Sequence, residues 1–279
     1  MSMRRNTQWN LIKIECSKAF RTKGFWISLL IGSAIALHHA WRRFTVGNFL
    51  IGEDVIQMGA YYTGSVFGQW MGMDSEIEDE LFRFLLPLLA ALPYTMSYNQ
   101  DYQNGYVRQI VTRGEAKKYY WAKYAAALVS GVFAVVVPLL LNFMLISLVA
   151  PIRLPVNLLK TIAPVECTMF KLYYTHPLVH LVFYLLLYGL AAAAYVSVSM
   201  VAAGIHSASF TVWAAPMITA LLLNLILSPL GYYSWNPMVY LDPALGYCLR
   251  VLPTMIEIAV PVLLAVILFV RKESRREIY

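Results

Sequence analysis

Charge is what this chain is short of. Only 13% of its 279 residues are charged and 59% are hydrophobic, whereas soluble domains carry roughly 25% charged residues. That scarcity excludes an ordinary soluble domain and places much of the chain in lipid. Cysteine is sparse as well: Cys16, Cys167 and Cys248. On the topology argued below only Cys167 and Cys248 would meet an oxidising compartment, and free buried thiols are commoner than a pair. There is no G-x-x-x-x-G-K-[ST] phosphate loop, so the chain does not hydrolyse ATP in the usual manner. There is no H-E-x-x-H and no pair of intramembrane aspartates, and neither Ser33 nor Ser130 has a histidine placed to act as its base. His176 and His180 form an i, i+4 pair but lack further ligands for zinc. Enzyme is the weaker class, with no cofactor or metal expected in the chain itself.

What is present is apolar length. A bilayer takes about 20 mostly apolar residues per helix, and six runs approach that: 24–41, 81–98, 124–150, 178–203, 209–230 and 251–270. The formal charge of +7 is not a nucleic-acid signature, because of where it lies. Six basic residues precede Gly24, five lie in 99–123 and four follow the last run. The other seven are scattered among the connections that also hold Glu53, Asp54, Asp74, Glu76, Glu78, Asp79 and Glu80. That is the positive-inside pattern of six spans with both termini in the cytoplasm. The first run lacks a small-residue cleavage site and leads into Arg42 and Arg43, so it does not read as a removable signal. The expected class is therefore all-α: a polytopic membrane protein.

The stretch 99–123 is the most polar segment between two apolar runs. Tyr106, Val107, Ile110 and Val111 recur at helical spacing, with Gly105 before them and Gly114 after, which predicts a short amphipathic helix. Residues 1–23 mix apolar and basic positions and fit a helix lying in the headgroups or a solvated basic tail. Residues 55–73 are uncharged, with Gly64, Gly68 and Gly72 spaced to share a helix face. A span there would move the basic loop outside, so 55–73 reads as an interfacial or partly inserted helix. Pro87 and Pro93 in the second run free backbone groups that neighbouring helices must satisfy, which makes that span interior. Prolines and glycines break 228–250 into a re-entrant hairpin. Arg83 and Glu257 are costly in lipid unless paired or wetted. Their similar depth makes them a possible intramembrane pair, although Arg83 reaching to the surface and Glu257 facing an aqueous vestibule would also answer the cost.

The sequence LLPLLAALPYTMSYNQDYQNGYVRQIVTRGEAKKYYWAKYAAAL resembles the second span, cytoplasmic loop and third span of bacterial ABC-2 type permeases, including those of antibiotic-immunity exporters. The matching positions are Pro87, Pro93, Asp101, Gly105, Tyr106, Arg113, Tyr119 and Lys123. Many such permeases carry Glu where this chain has Asp101. LIKIECSKAFRTKGFWISLLI is similar to the family's interfacial helix and first span, so the likeness extends over nearly the whole chain, on loose motifs. It implies an N-terminal interfacial helix (1–23) and a six-span domain (24–279) in a bacterial cell membrane. Two protomers, as homo- or heterodimer, would work with two copies of a cytosolic ATPase, and ATP and magnesium would sit on that partner. The implied activity is export, with an amphiphilic, peptide or lipid-like cargo favoured by the few intramembrane charges. On this reading the loop couples to the ATPase through Asp101, Gly105, Tyr106, Arg108, Ile110, Arg113 and Lys123. The alternative is a non-transporting scaffold or sensor whose basic loop docks a soluble partner or anionic lipid.

Overall fold

The computed structural model describes residues 2–46, 65–73, 76–112, 116–152, 154–155, 169–205, 208–242 and 249–272. All regular structure among them is helical. Helix α1 is Ser2–Arg21, α2 Lys23–Val46, α3 Val66–Gln69, α4 Ile77–Ala91, α5 Ser97–Gln103 and α6 Tyr106–Thr112. They are followed by α7 Ala116–Ser147, α8 Phe170–Thr175, α9 Pro177–Ile205 and α10 Ser209–Leu227. A 3₁₀ turn at Tyr233–Trp235, α11 Pro237–Tyr240 and α12 Val251–Leu264 complete the order, and α12 continues in wider π turns over Ala265–Lys272. Among the described residues, five segments are long and apolar enough to cross a membrane: Lys23–Thr45, Ala116–Ser147, Pro177–Ile205, Phe210–Leu227 and Val251–Val270.

The expected second span, 81–98, is not one helix. Helix α4 stops at Ala91, and turns over 92–96 precede α5. At 15 residues, α4 is about 22 Å long, short of the roughly 30 Å hydrocarbon core. Its first turn holds Glu78, Asp79 and Glu80, which suit the positive end of the helix dipole. Its apolar face (Phe82, Leu86, Leu89 and Ala90) is fully buried against α2, α7, α9 and α10.

Proline explains two of the cross-links that fix this packing. Pro93 has no N–H for the carbonyl of Leu89 four residues earlier, and the Ser28 hydroxyl of α2 donates to that oxygen at 2.6 Å. In the same way Pro216 leaves the Val212 carbonyl of α10 open, and Ser199 of α9 donates to it at 2.6 Å. The second bond holds α9 and α10 side by side, as their short connection requires. At the α1–α2 junction Gly24 meets the turn after α4 so closely that a Cβ there would stand 2.3 Å from the Leu92 carbonyl oxygen.

Helix α3 is short. Gly68 lies within it and Gly72 in the turn that follows, so these two glycines do not share a helix face as their spacing suggests. Gly64 lies outside the described residues. The segment is nevertheless buried against α7. Asn142 accepts from the Met71 N–H at 3.0 Å, and the Trp70 indole donates to the Leu139 carbonyl at 3.0 Å. Asn142 also donates to the Ala36 carbonyl of α2 at 2.9 Å. Since Asn142 lies five residues before the end of α7, Met71 sits about 7 Å inside that end by the helical rise. Residues 65–73 therefore pack alongside the last turns of α7.

The stretch 228–242 is broken as its prolines and glycines foretell. Asn236 ties it to α10, donating to Asn224 at 2.7 Å and to Ser228 at 2.9 Å. Cys167 and Cys248 lie outside the described residues, and Cys16 carries a free thiol.

Candidate functional site

The polar residues of 99–123 converge with α1 on one buried cluster. Lys123 sits on α7 one turn after Tyr119, so both side chains leave the same helix face. The Lys123 ammonium, 1% exposed, donates to Asp101 of α5 at 2.6 Å, to Glu15 of α1 at 3.1 Å and to the Tyr94 hydroxyl at 3.2 Å. Tyr94 in turn donates to Glu15 at 2.6 Å, and Tyr119 donates to Asp101 at 2.7 Å. Lys18 closes the far side of Glu15 at 2.9 Å and lies over the Tyr106 ring, 4.7 Å from its centre. Two carboxylates face two ammoniums, so the cluster is neutral as a whole.

That balance is what makes the burial tolerable. A carboxylate such as Glu15, 2% exposed, would be pushed up in pKa by desolvation. Lys123, the Tyr94 hydroxyl and Lys18 outweigh that push and hold it below its ordinary 4.5. Burial acts on Lys18 in the opposite sense, but Glu15 wins and raises it above its ordinary 10.5. The cluster thus joins α1, the turn after α4, α5 and α7 through charge-assisted hydrogen bonds, each stronger than a neutral one, and reaches α6 through Lys18 over the Tyr106 ring.

Around this anchor the 97–112 region is two helices. Helix α5 precedes the expected one, and the Asn104–Gly105 turn joins it to α6. Gly105 adopts φ +74 with no atom within 4 Å of a Cβ position, so glycine is favoured there by backbone conformation and not by crowding. Val107 is buried and Ile110 packs partly against the core, while Arg108 and Gln109 face outward. Of the residues expected to couple, Asp101, Tyr106 and Lys123 meet at the cluster and Gly105 sets the turn. Ile110 anchors α6, and Arg108 is exposed. Arg113 lies outside the described residues.

Glu15 and Tyr94 belong to the cluster but carry no role in the sequence reading. One signal was available: Glu15 is the lone acidic residue before Gly24, amid six bases. Helix α1 packs chiefly on α7, which is how Glu15 reaches Lys123.

At the opposite end of α4 a second charged group forms. Arg83 is 6% exposed, so it does not extend to the surface. It pairs with Asp79 one turn earlier and, at 2.8 Å, with Asp242 of the hairpin. The pair expected between Arg83 and Glu257 is not formed. Two nearer carboxylates occupy the guanidinium, and Glu257 stands beside Tyr240. Nearby, Arg42 of α2 meets Glu76 at 3.0 Å and Glu78 at 2.8 Å. His180 is buried between the rings of Tyr173 and Tyr184, at 5.1 Å and 4.8 Å.

Comparison with protein-family models, with curated proteins and with solved structures finds no match for this chain.

Proposed function

We propose that the chain is the membrane-spanning subunit of an ABC-type exporter, with α5 and α6 as the element that receives the stroke of a separate cytosolic ATPase. One observation carries this reading: the Glu15–Lys123–Asp101 cluster, which fastens the α5–α6 pair and the N-terminal helix to the start of the long helix α7. A docking element transmits force only if it moves as one body with a helix that reaches the far side of the membrane. Differential contacts in two states, and not flexibility, supply such coupling. Lys123 provides the fastening, and the outward Arg108 and Gln109 provide a polar face for the partner.

The cluster end of the molecule is then cytoplasmic, and the hairpin end faces outward. Helix α4 with its following turns takes the place of a sixth, interior crossing, satisfied by Ser28 and Thr22 of its neighbours. Two copies of the permease would work with two ATPase chains, moving an amphiphilic cargo of peptide or lipid character. The test is copurification of the chain with a phosphate-loop ATPase, repeated with Arg108→Glu. The reading requires a wild-type complex that hydrolyses ATP in step with transport, and loss of coupling in the variant without loss of membrane insertion. A soluble partner without ATPase activity would favour the scaffold reading instead.

A further inference from the structure

Helix α4 buries one face and leaves another open. Its outward stripe is Ile77, Leu81 and Phe84, at i, i+4 and i+7, and these side chains are 74%, 43% and 40% exposed. Across from them stands Met238 of α11, and between the two elements lies a cleft of about 470 Å3. Small-molecule sites run from about 300 to 1,000 Å3, so the cleft is large enough to hold a ligand. Two charged residues also line it, Glu80 and Arg83.

The two charges differ in what answers them. Arg83 is 6% exposed and its guanidinium bonds to Asp79 of the same helix, so its charge is matched within the wall. Glu80 is exposed and, among the described residues, has no hydrogen bond or ion pair. On α2, Arg42 is taken by Glu76 and Glu78 at 3.0 and 2.8 Å. The stretches 74–75 and 243–248, which adjoin the walls in sequence and lie outside the described residues, contain no basic residue. Glu80 follows Ile77 by three residues and precedes Phe84 by four, spacings that share a helix face. A carboxylate without a cation thus stands in the same stripe as three apolar side chains.

The chemistry that fits is a cationic head joined to an apolar tail. A primary ammonium offers a carboxylate three N–H donors. The apolar lining is one residue wide on α4 and faces Met238 of the hairpin, which matches a single alkyl chain. We infer that the cleft between α4 and the hairpin is a binding site for a single-chain amphiphile with an amine head, its ammonium on Glu80 and its chain between Phe84 and Met238. A neutral head lacks the ion pair, and an anionic head is repelled by Glu80. The inference concerns binding alone and holds whether or not the chain is an exporter subunit.

The test uses the full chain in nanodiscs of phosphatidylcholine and a dodecylamine probe carrying a diazirine in its chain. Light-driven labelling, mapped by mass spectrometry, should fall on 77–84 and on Met238. Unlabelled dodecylamine should compete for it, and dodecanol and dodecanoate at equal mole fraction in the bilayer should compete far less. Glu80→Gln should weaken the amine's competition by about fivefold, the upper range for an exposed ion pair, and leave that of dodecanol unchanged. Phe84→Ala should weaken both alike, and Glu257→Gln, which removes an acidic charge elsewhere, should weaken neither. Labelling away from both walls, equal competition by amine and alcohol, or amine competition unchanged in Glu80→Gln overturns the inference. So does displacement of the probe by phosphatidylethanolamine mixed into the disc, which would assign the cleft to a two-chain bilayer lipid. The comparison of head groups needs only the wild-type protein, so it decides the matter even where a variant fails to fold.

Discussion

Replacing Lys123 with methionine tests the cluster at its centre. The side chain keeps most of its length and loses only the ammonium, so packing against the Tyr94 ring, 4.5 Å from that ammonium, changes little. What remains is Glu15 and Asp101 facing each other with no cation between them. Removing one partner of a buried pair costs about 3–5 kcal/mol. Lys18 still holds the other side of Glu15, and it is 44% exposed, so its screening by solvent limits how much it offsets. Asp101, 21% exposed, recovers part of its hydration. The expected loss is therefore near the lower bound, about 3 kcal/mol, which is roughly a hundredfold in the folded-to-unfolded ratio.

The assay is thermal unfolding in detergent across pH, in a cycle with Glu15→Gln. In the wild type, the Glu15 carboxyl is held below its ordinary 4.5. Its contribution is thus complete above that value and lost as pH falls through the lower folded-state value. Without Lys123, desolvation dominates and the sign reverses: Lys123→Met should gain stability on acidification where the wild type loses it. Adding Glu15→Gln to Lys123→Met should restore part of the loss, giving a coupling energy of about 0.5–3 kcal/mol. A variant within about 0.5 kcal/mol of wild type, or strict additivity in the cycle, would refute the cluster as an anchor.

Three other outcomes are expected. Gly105→Ala should cost about 1–2 kcal/mol, because φ +74 is a left-handed conformation, and Gly105→Asn should cost less; equal effects on stability would point to crowding instead. Asn142→Leu orphans the Met71 N–H, at about 1–3 kcal/mol, while the Ala36 carbonyl it also bonds keeps its partner within α2; the variant should expose Trp70, read as a red shift of its fluorescence against a Trp70→Phe control. In a background with Cys16, Cys167 and Cys248 replaced, cysteine at Ile77 should react with an impermeant thiol reagent added to intact cells and cysteine at Asn104 should not, the reverse pattern inverting the proposed orientation.

Local pattern and composition carry the helices but not the partners. Hydropathy runs place the five long helices to within several residues at each end, and the prolines of 81–98 correctly announce carbonyls that other helices must meet. They do not reveal that Ser28 would do so, because a serine in an apolar helix reads only as small. Asp101 and Lys123 stand out as charges in the right stretch, yet their third member, Glu15, is 108 positions from Lys123. No periodicity links residues on separate helices. Depth arithmetic puts Arg83 and Glu257 both in the outer part of the bilayer, and depth alone does not choose a partner. Asp79 wins through i, i+4 proximity, a rule legible in the sequence. Asp242 wins because the hairpin folds back over α4, which only tertiary structure decides.

Helix α4 has charged groups near both ends, and that arrangement bears on how the two could communicate. Arg83 and Tyr94 are eleven residues apart, so about 16 Å separates them if the helical rise is maintained. Pro87 sits inside the helix between them and Pro93 in the turn that ends it. Both ends are held by bonds to other elements: Asp242 of the hairpin at one, Glu15 and Lys123 at the other. A displacement of α1 or α7 at the Lys123 cluster therefore moves Tyr94 and the turn after α4, and the Ser28 and Thr22 bonds to Leu89 and Pro93 make α2 move with it. The bond that can yield at the far end is Arg83–Asp242, since Asp79 travels on the same helix as Arg83. If that route operates, Lys123→Met should also weaken docking of the hairpin. Cysteines placed at Phe84 and Met238, which line one cleft of about 470 Å3 between α4 and the hairpin, should then crosslink more slowly than in the parent. An unchanged crosslinking rate, with Lys123→Met folded at the assay temperature, would separate the two ends of α4 mechanically.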